Sequence, residues 1–176
     1  MTDGACLNNG QSNPRADWAF FQGETINNGE PLVVSGRLEN RGPWGDEGSQ
    51  TSNRAELRAV LAALRFRWWR GEGFKTVIFG TDSSYVVDGA TQWVRGWVNK
   101  SWRTKGARGS GSADVKNKDL WEMLLGECER VHGAGLAVQF WRIPREWNTL
   151  ADAGAKKAAA EEDAPHRWQH IMGIAL

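Results

Sequence analysis

What most restricts the fold of this chain is a change of hydrophobic period along it. Leu57, Val60, Leu61, Leu64 and Trp68 recur at i, i+3, i+4, i+7 and i+11, one apolar stripe of a helix that starts near Asn53 and stops at Gly71 and Gly73. Before the stripe the chain reads as short strands. Thr2 to Leu7, Ala16 to Gln22 and Leu32 to Glu39 are separated by turn-rich stretches over 8–14 and 27–29. After it, Val77, Ile78 and Phe79 stand in a row within 75–81, as suits a strand buried on both faces. A helix over 83–100, a flexible Gly-rich loop over 106–112, a helix over 115–132, a strand over 136–141 and an Ala-rich helix over 148–162 follow. Three strands, a helix, a strand, helices, a strand and a helix predict a mixed sheet covered by helices. Residues 163–176 form a tail that docks through Trp168, Ile171 and Met172 or frays.

At 176 residues the chain suffices for one domain with a sizeable core. Hydrophobic residues make up 40% and charged residues 24%, a balance that argues against wholesale disorder. No apolar run reaches the ~18 residues of a membrane-spanning helix. Two cysteines, Cys6 and Cys128, make no disulfide framework, and no basic, apolar leader opens the sequence. The expectation is an intracellular, reducing setting.

Charge is distributed unevenly. The whole chain carries +1, yet residues 91–118 hold Arg95, Lys100, Arg103, Lys105, Arg108, Lys116 and Lys118 against Asp114 alone. That stretch is +6 and the remainder −5. Trp93, Trp97 and Trp102 interleave with the basic residues. Basic side chains attract phosphate, and flat indoles pack on sugars or bases. A solvated loop beside core tryptophans explains the same pattern.

Four carboxylates each have a local explanation. Asp3 sits in an Asp-Gly pair, where an Asx-turn accounts for it. Glu56 follows Asn53, and Asp152 follows Thr149, at capping-box spacing. Asp82 stands between a strand and a helix, an ordinary N-cap position. The element order nevertheless brings all four toward one edge of the sheet. Two like charges 4 Å apart repel by ~1 kcal/mol in water and several-fold more at protein-like dielectric. Divalent cations relieve such crowding, and hard oxygen donors suit Mg²⁺ or Mn²⁺ rather than zinc. His166 and His170 share an i, i+4 spacing but lack a third ligand.

The acids stand within Thr2-Asp3-Gly4-Ala5-Cys6, Thr51-Ser52-Asn53-Arg54-Ala55-Glu56-Leu57, Thr81-Asp82-Ser83-Ser84-Tyr85-Val86 and Asn148-Thr149-Leu150-Ala151-Asp152. Gln92-Trp93 and Val115-Lys116-Asn117-Lys118-Asp119-Leu120-Trp121 fall between the last two. In this order, from Asp3 to about Ala160, the motifs resemble the type 1 ribonuclease H family, fungal members in particular. The resemblance implies an α/β ribonuclease H-like fold: a five-stranded mixed sheet with helices on both faces, over 1–162, before the 163–176 tail. It implies that Asp3, Glu56, Asp82 and Asp152 are the catalytic, metal-binding carboxylates. Cys6 and Asn9 would touch the minor groove of an RNA/DNA hybrid, and Thr51, Ser52 and Asn53 its backbones. The segment from Trp93 to Lys116, with Trp97, Trp102, Arg103 and Lys105, matches a basic protrusion that grips the DNA strand, and Asn117 a phosphate pocket.

The expected activity is Mg²⁺-dependent hydrolysis of the RNA strand by a monomer, leaving a 5′-phosphate and a 3′-hydroxyl. Two ions ~3.5–4 Å apart would serve it, with Mn²⁺ as a substitute. Two departures from the family pattern stand out. The loop before the last helix, residues 142–148, carries no histidine, which makes Glu146 the candidate stand-in, beside Asn148, and slower turnover the expectation. Only Met1 and Thr2 precede Asp3, where the family's first strand starts earlier, so unpaired backbone groups are expected on its neighbours, and the expectation is of a catalytic domain without a separate hybrid-binding module. A catalytically impaired hybrid-binding module of the same fold is the alternative. A resolvase- or integrase-like transferase fits less well, because the basic, Trp-containing segment argues against it.

Overall fold

The computed structural model describes residues 1–25, 28–105, 111–161 and 163–173. Three antiparallel strands open the chain: β1 (Thr2–Leu7), β2 (Arg15–Glu24) and β3 (Pro31–Arg37), in the order β1-β2-β3. The helix α1 (Ser52–Phe66) follows, then β4 (Thr76–Thr81). Next come α2 (Ser84–Asp88), a π-helical turn (Gly89–Trp93) and α3 (Val94–Asn99). The short strands β5 (Arg103–Lys105) and β6 (Ser112–Asp114) form an antiparallel ribbon. The chain then runs through α4 (Lys118–Gly133), β7 (Ala137–Arg142), a 3₁₀ turn (Arg145–Trp147) and α5 (Thr149–Glu161). The fold is α/β, as the period changes predict.

The sheet departs from the expected five-stranded one. All five strands are present, but the ladders make a three-stranded antiparallel sheet and a separate parallel pair, β4-β7. β1 pairs with β2 over its full length and lies beside β4 without a ladder. A cavity of about 330 Å³ lies there, lined by Met1, Thr2, Phe20, Phe21, Val77 and Phe79 among others. The same opening overturns the expectation that β4 is covered on both faces. Val77 and Phe79 are buried under α1 and α4, while Ile78 is 56% exposed.

The two faces of the antiparallel sheet take different helices. Leu57, Val60, Leu61 and Leu64 of α1 pack with Trp18 and Phe20, as the stripe requires. The stripe stops short of Trp68, which lies beyond the helix end and is 78% exposed. On the other face α5 rests on Ala19, Val33 and Ser35, and Gly154 permits it: a Cβ there would come within 2.6 Å of the Val33 Cγ1. The helix expected over 83–100 is one right-handed run interrupted by the π turn. At Gly89 an added Cβ would meet the Trp121 ring at 2.3 Å. The loop expected over 106–112 falls mainly outside the described residues, and its flanks are the β5-β6 ribbon that periodicity did not show.

The tail folds back over α1. Trp168 and Ile171 pack against the core, whereas Met172 is exposed. The Arg58 guanidinium lies between the rings of Trp18 and Trp168, 4.7 and 4.2 Å from their centroids. It also pairs with Glu39 at 2.7 Å and donates to the Gln169 carbonyl at 3.0 Å. Arg58 and Glu39 are both almost wholly buried. Removing one member of a buried pair strands the other charge at a cost of ~3–5 kcal/mol. Arg58→Met is therefore expected to lose ~3–5 kcal/mol in urea denaturation. Arg58→Met combined with Glu39→Met is expected to recover much of that loss.

Candidate active site

Local structure removes the ordinary explanation for three of the four acids. Thr51, not Asn53, caps α1: its side chain accepts from the Arg54 amide at 3.4 Å. Glu56 therefore serves no capping box and points to the sheet, where it accepts from the Thr81 hydroxyl at 3.5 Å. Ser83 caps α2 by accepting from the Val86 amide at 3.4 Å, which leaves Asp82 free of that duty. Asp3 lies within β1 rather than in a turn.

Close backbone packing then brings the acids together. Gly4 meets α1 so tightly that a Cβ would fall 2.1 Å from the Glu56 amide nitrogen. Only a residue without a side chain lets the helix carrying Glu56 approach the strand carrying Asp3. From the β4 end comes Asp82. One oxygen from each of Asp3, Glu56 and Asp82 lies within 4.8 Å of the others. The buried Asn148 amide ties them, donating to Asp82 Oδ1 at 2.9 Å, Asp3 Oδ1 at 3.3 Å and the Thr2 carbonyl at 2.9 Å. Asp152 stands outside this set, each of its oxygens held by a cation: Arg145 at 3.3 Å and Lys156 at 2.6 Å.

The electrostatics match the geometry. Burial, then repulsion from Asp82 and Asp152, raises the Asp3 carboxyl to about 7. Burial, then Asp3 and Asp82, pushes Glu56 well above the usual carboxylate range. Arg145 opposes both shifts. Asp17, on β2 beneath α5, is a further buried acid raised to about 7, first by burial, with Arg37 opposing and Asp3 adding. A trio of hard oxygen donors, two of them buried and one half-buried, fits a divalent cation such as Mg²⁺ or Mn²⁺. Asp3, Glu56 and Asp82 would hold such an ion, with Asp152 at the rim.

The same cleft is lined by Cys6, Asn9, Ser52 and Asn53, and the Asn9 amide donates to the Ser52 hydroxyl at 3.3 Å. Thr51 is occupied as the helix cap. The basic segment forms a second surface. Trp97 and Trp102 pack against the core, with Trp97 edge-on to Trp121 at 5.3 Å, so these indoles chiefly anchor the ribbon. Trp93 remains 40% exposed. Arg103 braces the ribbon through Ser112 and Asp114, while Lys105 and Lys116 are exposed. Asn117, left-handed at φ 56°, donates to the Tyr85 hydroxyl at 3.2 Å.

Periodicity did not mark Tyr85, Arg145, Lys156 or Asp17. Tyr85 lines the acid cleft and accepts from Asn117 and Trp121 Nε1, joining cleft to ribbon. Lys156 could have been found from its i, i+4 spacing to Asp152. Asp17 stands inside the otherwise apolar run Ala16 to Phe20, a signal that an acid is being buried. Glu146, the expected stand-in for the loop histidine, is exposed and makes no hydrogen bond or ion pair among the described residues; its neighbour Arg145 lines the cleft instead.

Comparison with known proteins places this architecture. The N-terminal RNase H domain of a Mycobacterium tuberculosis protein superimposes with a TM-score of 0.51 at 20% identity over 90% of each chain, a likeness of fold. Residues 1–160 match the family model described as RNase H. Ribonuclease H of Treponema pallidum is 35% identical over 167 residues, covering 90% of this chain and 88% of that one. Human Ribonuclease H1 is 30% identical over 160 residues, 91% of this chain and 48% of its own length. The mouse Ribonuclease H1 figures are 32% over 165 residues, 89% and 50%. The chain belongs to the ribonuclease H family, and it spans about half the length of these mammalian relatives.

The raised acids set a pH dependence. Asp3 titrates near 7 in the folded chain against an ordinary value of 3.8, so between those values the folded state binds the extra proton. This contribution to stability is present below about pH 4 and is lost as pH rises through about 7. In chelator-treated protein, Asp3→Asn is expected to add on the order of 2 kcal/mol at pH 8 and little at pH 4, as read by urea denaturation.

Proposed function

We propose that this protein hydrolyses the RNA strand of RNA/DNA hybrids with the help of divalent magnesium, for which manganese can substitute. The observation that carries the reading is the meeting of three carboxylates, two buried and one half-buried, from β1, α1 and the end of β4, in a cleft lined by Asn9, Ser52 and Asn53. A protein that only bound polyanions would gain nothing from acids beside phosphate. Two ions bound there would supply an activated water and charge stabilisation at the leaving oxygen. The water oxygen stays on phosphorus as part of a 5′-phosphate. One proton ends on the departing 3′ oxygen and the other in solvent.

The chain's own residues do the rest. Asn148 holds Asp3 and Asp82 turned toward each other, and the Thr81 hydroxyl orients Glu56. Asn9, Ser52 and Asn53 offer amides and a hydroxyl to the backbones and the minor groove. The 2′-hydroxyl distinguishes the RNA strand from DNA at such contacts. Lys105 and Lys116 attract the opposing strand, beside the exposed edge of Trp93. Recognition is by backbone and shape, so affinity falls as salt rises, with a log–log slope of about −0.9 per phosphate neutralised on a duplex of DNA geometry.

The test offers labelled RNA/DNA hybrid, duplex RNA, duplex DNA and single-stranded RNA with Mg²⁺, beside Asp82→Asn. Cleavage confined to the RNA of the hybrid, giving 5′-phosphate ends and abolished in Asp82→Asn, is expected. Hybrid binding without any cleavage would instead establish the non-catalytic binding module.

A further inference from the structure

We propose that the outer edge of β7 and the apolar cavity beside it form a docking site for an extended peptide segment of a partner protein. The segment adds to the sheet as a further strand, seats one bulky apolar side chain against α4 and sets a basic residue on Glu129.

β7 is the outer strand of the parallel pair, and among the described residues no strand lies on its far side. The amides of Ala137 and Ile143 bond the carbonyls of Lys75, just before β4, and Thr81, its last residue. The alternation along a strand then turns the amides and carbonyls of Val138 and Phe140 outward, away from β4. Outer strands are commonly protected by charges or proline. β3, the outer strand of the antiparallel trio, opens on Pro31 and closes on Arg37. From Ala137 to Trp141, β7 carries neither charge nor proline.

The side chains of the same two residues define what an added strand would meet. Val138 and Phe140 pack toward the core yet are only half-buried, where a cavity of about 620 Å³ opens between β7, α4 and the π turn. Trp121 and Leu124 belong to its apolar wall. An exposed edge beside an apolar pocket is the arrangement by which sheets capture extended peptides, the backbone supplying affinity and the pocket selectivity. A second copy paired edge to edge would leave the cavity empty, because its own Val138 and Phe140 lie under its own α4. A free segment can turn a side chain into it. Glu129 lines the cavity, exposed and without a hydrogen bond or ion pair among the described residues. Arg95 of α3 lines the continuation of the groove with Glu129, and among the described residues the two are not paired. A carboxylate left open at the rim of an apolar site selects a basic neighbour for the apolar residue.

The probe is a labelled, blocked pentapeptide of lysine, valine, phenylalanine, valine and threonine, titrated with the whole chain and read by fluorescence anisotropy. Binding is expected. Alanine in place of the phenylalanine should weaken it roughly ten- to a hundredfold. Glutamate in place of the lysine, or Glu129→Lys in the protein, should weaken it about fivefold. Cys128→Phe, which fills the cavity from α4, should abolish it. Glu129→Lys, on the exposed surface of the helix, keeps the test open if Cys128→Phe does not fold. N-methylation of alternate peptide residues should weaken binding in one phase and leave it unchanged in the other, because an added strand bonds along one edge only. Equal effects in both phases would overturn the added strand. Absence of binding at millimolar peptide, or binding indifferent to the phenylalanine and to Glu129→Lys, would overturn the site. A protein that sediments alone as a dimer, dispersed by Glu129→Lys, would assign the edge to a second copy and overturn the peptide.

Discussion

The near-contact of two backbones, at Gly4 and Glu56, sets the terms for the rest of the molecule. A strand and a helix that meet without an intervening side chain bring Asp3 and Glu56 to one place, and the end of β4 adds Asp82. Desolvation and repulsion from the neighbouring acids then act against Asp3 and Glu56, which is why both hold their protons far above the usual range. The fold supports this unfavourable cluster with a large apolar core on α1 and with the single amide of Asn148, which satisfies two of the acids at once. Local cost at a site, offset by packing elsewhere, is what a binding site for a cation requires.

Around the acid cluster the charge turns positive. Arg145 and Lys156 hold Asp152 at the rim, and the ribbon of β5 and β6 carries positive charge further out. Tyr85 connects these layers, since its hydroxyl meets Asn117, Trp121 and the Lys116 carbonyl while its ring abuts Trp93. Displacement of the ribbon would thus be felt at the first turn of α2, beside Asp82. The tail contributes on the opposite side, where Trp168 covers the Arg58–Glu39 pair and keeps it from water.

Most of the fold was legible because its periods are clean. The α1 stripe and the strands at 2–7, 15–24, 31–37, 76–81 and 137–142 were found within a few residues. What escaped depended on partners distant in sequence. Whether Ile78 is covered depends on what lies beside β4, which no run of residues near it can state. Trp68 continued the spacing of a helix that had already ended. The π turn reflects the fit of Gly89 to Trp121, 32 positions away. The acid cluster was legible only as motifs in order, since each acid taken singly had a cap or a turn to explain it. Structure then showed Thr51 and Ser83 doing that capping. Arg145 was overlooked for Glu146 because one residue of phase in a 3₁₀ turn decides which side chain faces the cleft.

The seam between β1 and β4 gives the cluster a second meaning. Among the described residues no ladder of backbone hydrogen bonds joins the antiparallel trio to the parallel pair, and Asp3 near the start of β1 and Asp82 just past the end of β4 face each other across the break. An ion shared by those two side chains would act as a rivet across the fault line, so that charging the centre and closing the sheet become one event. Mechanical cohesion of this protein would then report the occupancy of its reactive centre.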